Sequence, residues 1–316
     1  MEKTEGSESA TATGCPSETE LAGKADMCKG CPGQALCRQQ GGRDPDQELL
    51  DTRMRAVKHK ILILSGKGGV GKSSVAACLS MALAELSQKV GVVDLDICGP
   101  SIPKLLAVEG REVVNSQWGW KPLISPHHGV KVMSVGSLLE QSDNAVIWRG
   151  PRKTALIRRF LKDTFWGRLD VLICDTPPGT SDEHLTVVKA MKSADPDGAV
   201  IVTTPQEVAI ATIRKELNFC RKLGVRVIGV VENMSGFVCP CCQERTDIFS
   251  SGAGERLAGE YGVPFLGRIP IVQHLTQCCE EGRSIFQSHP ESPAASALMQ
   301  LAQRVMEEVT RQQTGK

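Results

Sequence analysis

The sequence predicts an α/β fold: a mostly parallel twisted sheet with helices on both faces, preceded by a small cysteine-rich N-terminal segment. Three observations carry this. Short apolar, β-branched runs alternate with helical segments from residue 59 to 316. A glycine-rich loop joins the first such run to the first such helix. The first 45 residues are poor in large apolar side chains yet hold Cys15, Cys28, Cys31 and Cys37.

Composition narrows the class. The 316 residues suffice for one large α/β domain or two small ones, and 41% are hydrophobic. Aromatics are only 4%, so the core must be built from Val, Ile, Leu and Ala. A net charge of +1 with no basic stretch argues against a nucleic-acid partner. No apolar run approaches the ~20 residues of a membrane span, which argues against a membrane partner. The acidic, polar N-terminus has neither a signal-peptide apolar block nor an Arg-rich transit character. The expectation is a cytoplasmic protein. Thirteen cysteines, an odd number, fit a reducing compartment in which thiolates serve as metal ligands or stay buried and free.

Residues 1–45, rich in Gly, Ser, Thr and Glu, cannot offset the entropy of ordering unaided. Residues 46–58 read as a linking helix, and 59–316 as the main domain. "KILIL" (60–64) is a strand buried on both faces. In "SSVAACLSMALAEL" (73–86), Val75, Cys78, Leu79, Ala82, Leu83 and Leu86 share one helical face. "KVGVVDLD" (89–96) completes a parallel crossover unit. Residues 107–150 read as an insertion of short strands and loops. Further strands follow at 170–175, 198–204, 225–233 and 264–269. Helices are expected at 207–223, 254–262 and 292–312; the last, mixed in charge on its polar face, is expected to pack on the domain. Cys78, Cys174 and Cys220 fall at core positions, whereas Cys278 and Cys279 have no evident ligand role.

"SGKGGVGKSS" (65–74) satisfies G-x-x-x-x-G-K-[ST] through Gly66, Gly71, Lys72 and Ser73. Gly66, Gly68, Gly69 and Gly71 let the backbone of Lys67, Val70 and their neighbours curl, so that N–H groups point at phosphate oxygens. The helix start at Lys72–Ser74 adds positive partial charge. Lys72 neutralises the β- and γ-phosphates of a bound nucleotide, and Ser73 binds magnesium. A chance match in a chain of this composition has a probability of about one in a hundred, before the flanking strand and helix are required.

Two strand ends supply carboxylates: Asp94 and Asp96 in "VVDLDICGPS", and Asp175 in "LICDTPPGTSDEH". An open parallel sheet gathers its ligands at the carboxyl ends of its strands. A carboxylate there holds magnesium or orients a water; the plainer reading of each is a helix cap or turn residue. The N-terminal cysteines, Cys15-x12-Cys28-x2-Cys31-x5-Cys37, have the number needed to surround one metal centre, which would order a segment with little to bury. Spacing alone does not separate zinc from iron–sulfur. Cys239 and Cys242 form C-P-x-C with Cys241 in the variable place. Two thiols are half a tetrahedral site; a second subunit across a symmetry axis supplies the rest, or the motif is a zinc knuckle or redox dithiol.

With its second lysine at Lys67, the loop resembles that of MinD-type P-loop ATPases. The wider set is similar to eukaryotic cytosolic iron–sulfur cluster assembly ATPases of the Mrp/NBP type: the four-Cys segment, KGGVGKS, DxDICGPSIP, WRGP-x-K, DTPPGTSDEH, TTPQEV, VENMSGF-x-CP-x-C and GRIP. The first cysteine spacing, one residue short of the usual, and the extra Cys241 depart from the family pattern.

The resemblance implies a MinD-like P-loop NTPase fold and slow ATP hydrolysis. Lys67 would reach a partner's phosphates across a nucleotide-sandwich dimer, and Asp175 would join Ser73 in the magnesium shell. Asp96, or else Asp94, would position the hydrolytic water, and Asn233 would read the adenine edge. It also implies a stable 4Fe–4S cluster on Cys15, Cys28, Cys31 and Cys37, and a labile one bridging two subunits at Cys239 and Cys242. Implied partners are a second copy, or a shorter homologous P-loop ATPase in a heterotetramer, with apo iron–sulfur acceptor proteins and downstream cluster-targeting factors. Two rival readings are a MinD/ParA-like positioning ATPase with structural zinc at its thiols, and a non-catalytic cluster carrier.

Overall fold

The computed structural model of the chain describes residues 24–30, 34, 45–97, 99–138, 150–179, 182–192, 194–239, 241–242 and 244–314. Cys15, Cys31, Cys37 and Cys98 lie outside these residues. The chain divides into two compact units, Met1–Leu49 and Leu50–Lys316. In the first, Asp26–Cys28 form a 3₁₀ turn in which the Cys28 N–H donates to the Ala25 carbonyl (2.9 Å). Cys28 is buried, and Lys29 pairs with Asp26 at 2.7 Å.

Helix α1 (Pro45–Arg55) carries Asp46 and Glu48 in its first turn and Arg53 and Arg55 in its last, matching the helix dipole at both ends. It stops short of the 46–58 expected for the linking helix. The chain turns at Ala56, and β1 (Val57–Leu64) begins, with Val57 opposite Leu169 and His59 opposite Val171. Sheet pairing takes the residues that looked like the helix's last turn. Then follow α2 (Lys72–Glu85), β2 (Val90–Asp94), α3 (Ile102–Leu105), β3 (Val114–Ser116), β4 (Gly119–Lys121), β5 (Leu123–Ile124) and β6 (Lys131–Ser134). Next come α4 (Gly150–Asp163), β7 (Leu169–Asp175), α5 (Asp182–Lys192), β8 (Gly198–Thr203), α6 (Glu207–Leu223) and β9 (Val227–Glu232). The rest is β10 (Phe237–Val238), β11 (Arg245–Thr246), α7 (Ala253–Tyr261), β12 (Phe265–Arg268), α8 (Gln273–Glu281), α9 (Ile285–Ser288) and α10 (Pro293–Thr314).

Among the described residues one sheet of eight strands, ordered β12-β9-β8-β1-β7-β2-β6-β5, forms the centre. Every neighbouring pair in it is parallel except β5 with β6. Residues 107–150 are therefore more than an insertion. β6 is a core strand, pairing Val132 with Val92 and Ser134 with Asp94. Alternate strand residues face opposite layers, as a pleat requires. Ile61, Ile63, Ile173 and Val200 pack with Val75, Leu79 and Leu83 of α2 and with Leu298, Leu301 and Val305 of α10. Leu62, Leu64, Leu172 and Ile201 pack with Phe160 of α4, Met191 of α5 and Ile213 and Leu217 of α6. Cys78, Cys174 and Cys220 are buried in these layers. Among the described residues no helix is long and apolar enough to cross a membrane.

This topology fixes the site. Leu64, Asp94, Asp175, Thr203 and Glu232 end five adjacent parallel strands on one edge of the sheet, and Asp94 lies directly opposite Asp175.

Candidate functional site

The loop between β1 and α2 curls as phosphate binding requires. Gly69 and Gly71 adopt φ of +79° and +78°, a region that favours glycine. Gly66 is close-packed: a Cβ there would lie 2.7 Å from the Thr212 carbonyl carbon on α6. Gly68 faces open space, Lys67 is half-buried, and the Lys67 carbonyl accepts from the Ser65 hydroxyl (3.2 Å). Val70 is buried, and Ser74 is half-buried in the first turn of α2.

At the floor, Lys72, Ser73 and Asp175 converge. The Lys72 ammonium donates to Asp175 Oδ1 (2.6 Å), and the Ser73 hydroxyl donates to Asp175 Oδ2 (2.6 Å). A hydroxyl and a carboxylate this close, at the start of a helix, form a hard-oxygen pair suited to magnesium. Asp94 is fully buried beside them and accepts from the Ser134 hydroxyl (3.0 Å) and the Asp96 backbone N–H (3.1 Å). Asp96 itself is half-buried, past the end of β2.

Burial pushes the Asp94 carboxyl up to about 8. The Asp175 charge adds to this, while Lys72 and the bonds from Ser134 and Asp96 oppose it. A folded pKa above the ordinary value of 3.8 means a contribution to stability that is fully present below that value and lost as pH rises through about 8. The unfolding midpoint of the nucleotide-free protein is therefore expected to fall as pH is raised from ~5 to ~8.5. Asp94→Asn should flatten the dependence, and thermal melts across that range read it directly.

Asn233 follows β9 and is buried against the loop: its side-chain amide donates to the Val70 carbonyl (2.9 Å), and its backbone N–H donates to the Thr203 carbonyl (2.8 Å). A Cβ at Gly71 would lie 2.3 Å from the Asn233 Nδ2, so loop and amide are fitted to each other. Four residues on, the β10–β11 hairpin pairs Phe237 with Thr246 and Val238 with Arg245, and carries Cys239, Cys241 and Cys242 in its turn. Cys242 and then Cys241, chiefly through their backbone N–H groups, lower the pKa of Cys239. Amides aimed at one cysteine of a C-x-x-C turn stabilise its thiolate, the form that binds iron or zinc. Cys239 is partly exposed, Cys241 and Cys242 are exposed, and all three are free thiols. Among the described residues no group of three or more His, Cys, Asp or Glu is placed to hold a metal.

Four residues of the site lay outside the sequence reading. Ser134 reaches Asp94 from β6. Glu232, buried at the end of β9, accepts from the Ser235 hydroxyl (2.6 Å) and the backbone N–H groups of Gly252 (3.2 Å) and Gly254 (2.7 Å). His184 meets Glu216 on one side of its ring and the Gly179 carbonyl on the other. Each joins segments apart in the chain, and although His184 closes the DTPPGTSDEH motif, no local spacing reveals these contacts.

Comparison with known proteins agrees with this geometry. A family model described as NUBPL iron-transfer P-loop NTPase, of the ParA group, matches residues 56–306. A nucleotide-binding protein of Archaeoglobus fulgidus, solved in complex with ADP and with cobalt found in it, is 40% identical. That similarity covers 75% of this chain and 91% of the other, at a TM-score of 0.67. The cell division ATPase MinD of Pyrococcus furiosus is 25% identical, with 79% and 98% covered and a TM-score of 0.59. The septum site-determining protein MinD of Pyrococcus horikoshii, complexed with Mg-ADP, shares the fold at 24% identity, 78% and 96% coverage and a TM-score of 0.58. The phosphate loop, the aspartates at the strand ends and the family match across the whole sheet lead to one statement: the chain is a MinD-like P-loop ATPase and belongs to the iron-transfer P-loop NTPases of the Mrp/NBP type.

Proposed function

We propose that this chain is an ATP-dependent scaffold that assembles 4Fe–4S clusters and passes them to apo acceptor proteins. It works as a homodimer or with a shorter homologous P-loop ATPase. The observation that carries this reading is the bond from Asn233 to the Val70 carbonyl, which links the phosphate loop to the arm bearing Cys239 and Cys242. A nucleotide that reshapes the loop acts on the same short segment that holds the thiols.

In this reading Lys72 and the loop amides bind the β- and γ-phosphates, Ser73 and Asp175 hold magnesium, and Asn233 meets the base. Lys67 reaches the partner's nucleotide. Asp96 positions the hydrolytic water. Asp94, buried and held by Ser134, supports the floor instead. Cys239 and Cys242 of two subunits supply four thiolates to the shared cargo cluster, whose durability is then that of the interface. The amides on the Cys239 sulfur support ligation by Cys239 rather than by Cys241. Cys15, Cys28, Cys31 and Cys37 hold the stable cluster on a separate N-terminal segment, residues 1–45, joined by a linking helix to the ATPase domain.

The test is anaerobic purification with iron, sulfide and zinc analysis. Cys239→Ser/Cys242→Ser is expected to lose about four irons and four sulfides per dimer and keep the N-terminal centre, with Cys28→Ser doing the reverse. Lys67→Ala should keep the N-terminal cluster but slow maturation of an apo acceptor. Zinc without sulfide in the wild type, or normal acceptor maturation by Lys67→Ala, would sink the reading.

A further inference from the structure

Beneath the segment that follows Asp175 lies a buried acid–imidazole pair. His184 on α5 and Glu216 on α6 are both fully buried, with His184 Nε2 3.4 Å from Glu216 Oε1. Among the described residues neither Glu216 oxygen makes a hydrogen bond of ordinary geometry, and nor does His184 Nε2. The other ring nitrogen, His184 Nδ1, contacts the Gly179 carbonyl. Gly179 has φ of +80°, and its N–H donates to the Ser65 carbonyl (2.8 Å) at the base of the phosphate loop. Phe219 packs against the ring, with centroids 5.2 Å apart.

The proton count of this pair follows from its contacts. A carbonyl only accepts, so Nδ1 must carry a hydrogen to bond Gly179. In the neutral ring Nε2 is then an acceptor, and the group facing it must donate. A carboxylic acid donates; a carboxylate does not. Burial favours the acid, raising the Glu216 pKa to about 8, and the same cause lowers that of His184 and keeps the ring neutral. The other ionisable groups acting on the pair are Cys220 beside Glu216 and Lys72 near His184. The consistent arrangement is Glu216 O–H to Nε2, and Nδ1–H to Gly179. One turn before Glu216 on the same helix face, Thr212 packs on Gly66. Helix α6 thus touches the phosphate loop directly and the post-Asp175 segment through His184.

We propose that Glu216 and His184 are positioning residues that fix Gly179, and with it the backbone after Asp175, in the geometry ATP hydrolysis needs. The inference rests on ATP hydrolysis by this chain and not on its cluster chemistry. Loss of the shared proton undoes the arrangement. A carboxylate would face a lone pair on Nε2, or the ring would take its hydrogen on Nε2 and turn a bare Nδ1 toward the Gly179 carbonyl. Either way the grip on the segment fails.

The experiment uses the full chain, with ATP as the probe. Glu216→Leu, which has no donor, should lower kcat about tenfold while ATP affinity stays within about twofold. Glu216→Gln, whose amide donates to Nε2 without a proton to lose, should retain kcat within about threefold. It should also lack the fall in kcat expected of the wild type above about pH 8. Nitrogen-15 spectra of His184 should report hydrogen on Nδ1 in the wild type and in Glu216→Gln. Wild-type kcat and pH profile in Glu216→Leu, or equal damage from Gln and Leu, would overturn the proposal. So would hydrogen on Nε2 in an active wild type. A wild type that hydrolyses no ATP would instead overturn the ATPase reading, and the ring spectra would then judge the pair on their own.

Discussion

Lys72→Met is expected to do two separable kinds of damage: about 3–5 kcal/mol of stability lost without nucleotide, and hydrolysis down by ~10³-fold. The second part is the loss of a cation from the transferring phosphate. The first follows from the nucleotide-free structure. Lys72 is 6% exposed and Asp175 not at all, and their charged atoms are 2.6 Å apart. Asp94 lies directly opposite Asp175 in the sheet. Removing the ammonium leaves one buried carboxylate facing a second carboxyl with no cation between them. Breaking a buried pair from one side costs far more than the pair contributes net. The double variant Lys72→Met/Asp175→Asn should therefore regain most of the lost stability, because no buried charge is stranded, while hydrolysis stays absent. Urea unfolding of the wild type, Lys72→Met, Asp175→Asn and the double variant closes the cycle. If Lys72→Met alone unfolds like the wild type, the ion pair is not what holds the floor. In the proposed reading the order of events on ATP arrival follows from this geometry: the phosphates would draw Lys72 from Asp175, and that exchange would free the carboxylate to hold magnesium.

The sequence was most legible where physics is local. β1, β7 and β8 each contain a buried apolar run, residues 61–64, 171–174 and 199–202, and the phosphate loop is one contiguous motif with its helix attached. β6 was hidden because a lysine opens its four residues. Lys131 is tolerated there because its ammonium donates to the Trp166 carbonyl (2.6 Å). Helix α5 was missed because its first residues, Asp182 to His184, close a motif that reads as a loop. In the site, Lys72, Ser73 and Asp175 were found because each belongs to a motif, and the structure brings them within bonding distance. The partners of Asp94, Asn233 and Glu232 come from other strands, loops and helices, and only the sheet order brings them together. Glu232 was passed over for its neighbour: a glutamate closing an apolar strand looks like a surface residue, yet this one is fully buried.

That burial makes Glu232→Ala the strongest expected perturbation of the cysteine arm. The carboxylate receives Ser235 at the arm's departure from the sheet, and Gly252 and Gly254 at its return, where α7 begins. Arg268 stands 3.5 Å away on β12. One side chain thus staples both ends of the excursion that carries Cys239, Cys241 and Cys242, and the amides at the start of α7 add the favourable end of a helix dipole. Hydrogen bonds to a buried charge contribute roughly 1.5–3 kcal/mol each, and orphaned N–H groups add their own penalty. Alanine should cost ~3 kcal/mol or more. Glutamine should cost about 1–3 kcal/mol, since its amide turns a donor toward groups that also donate. The loss should be local. Amide exchange should quicken across residues 236–246, and cluster loading at Cys239 and Cys242 should drop. Protection in α2 and ATP affinity should hold, because Asn233 keeps its backbone bond to Thr203 and its amide bond to Val70. Unchanged exchange in the arm with loading intact would mean that β10–β11 pairing alone sets the thiols. A collapse of ATP binding alongside loading would mean that arm and loop are a single cooperative unit, with Glu232 at its centre and not at its hinge.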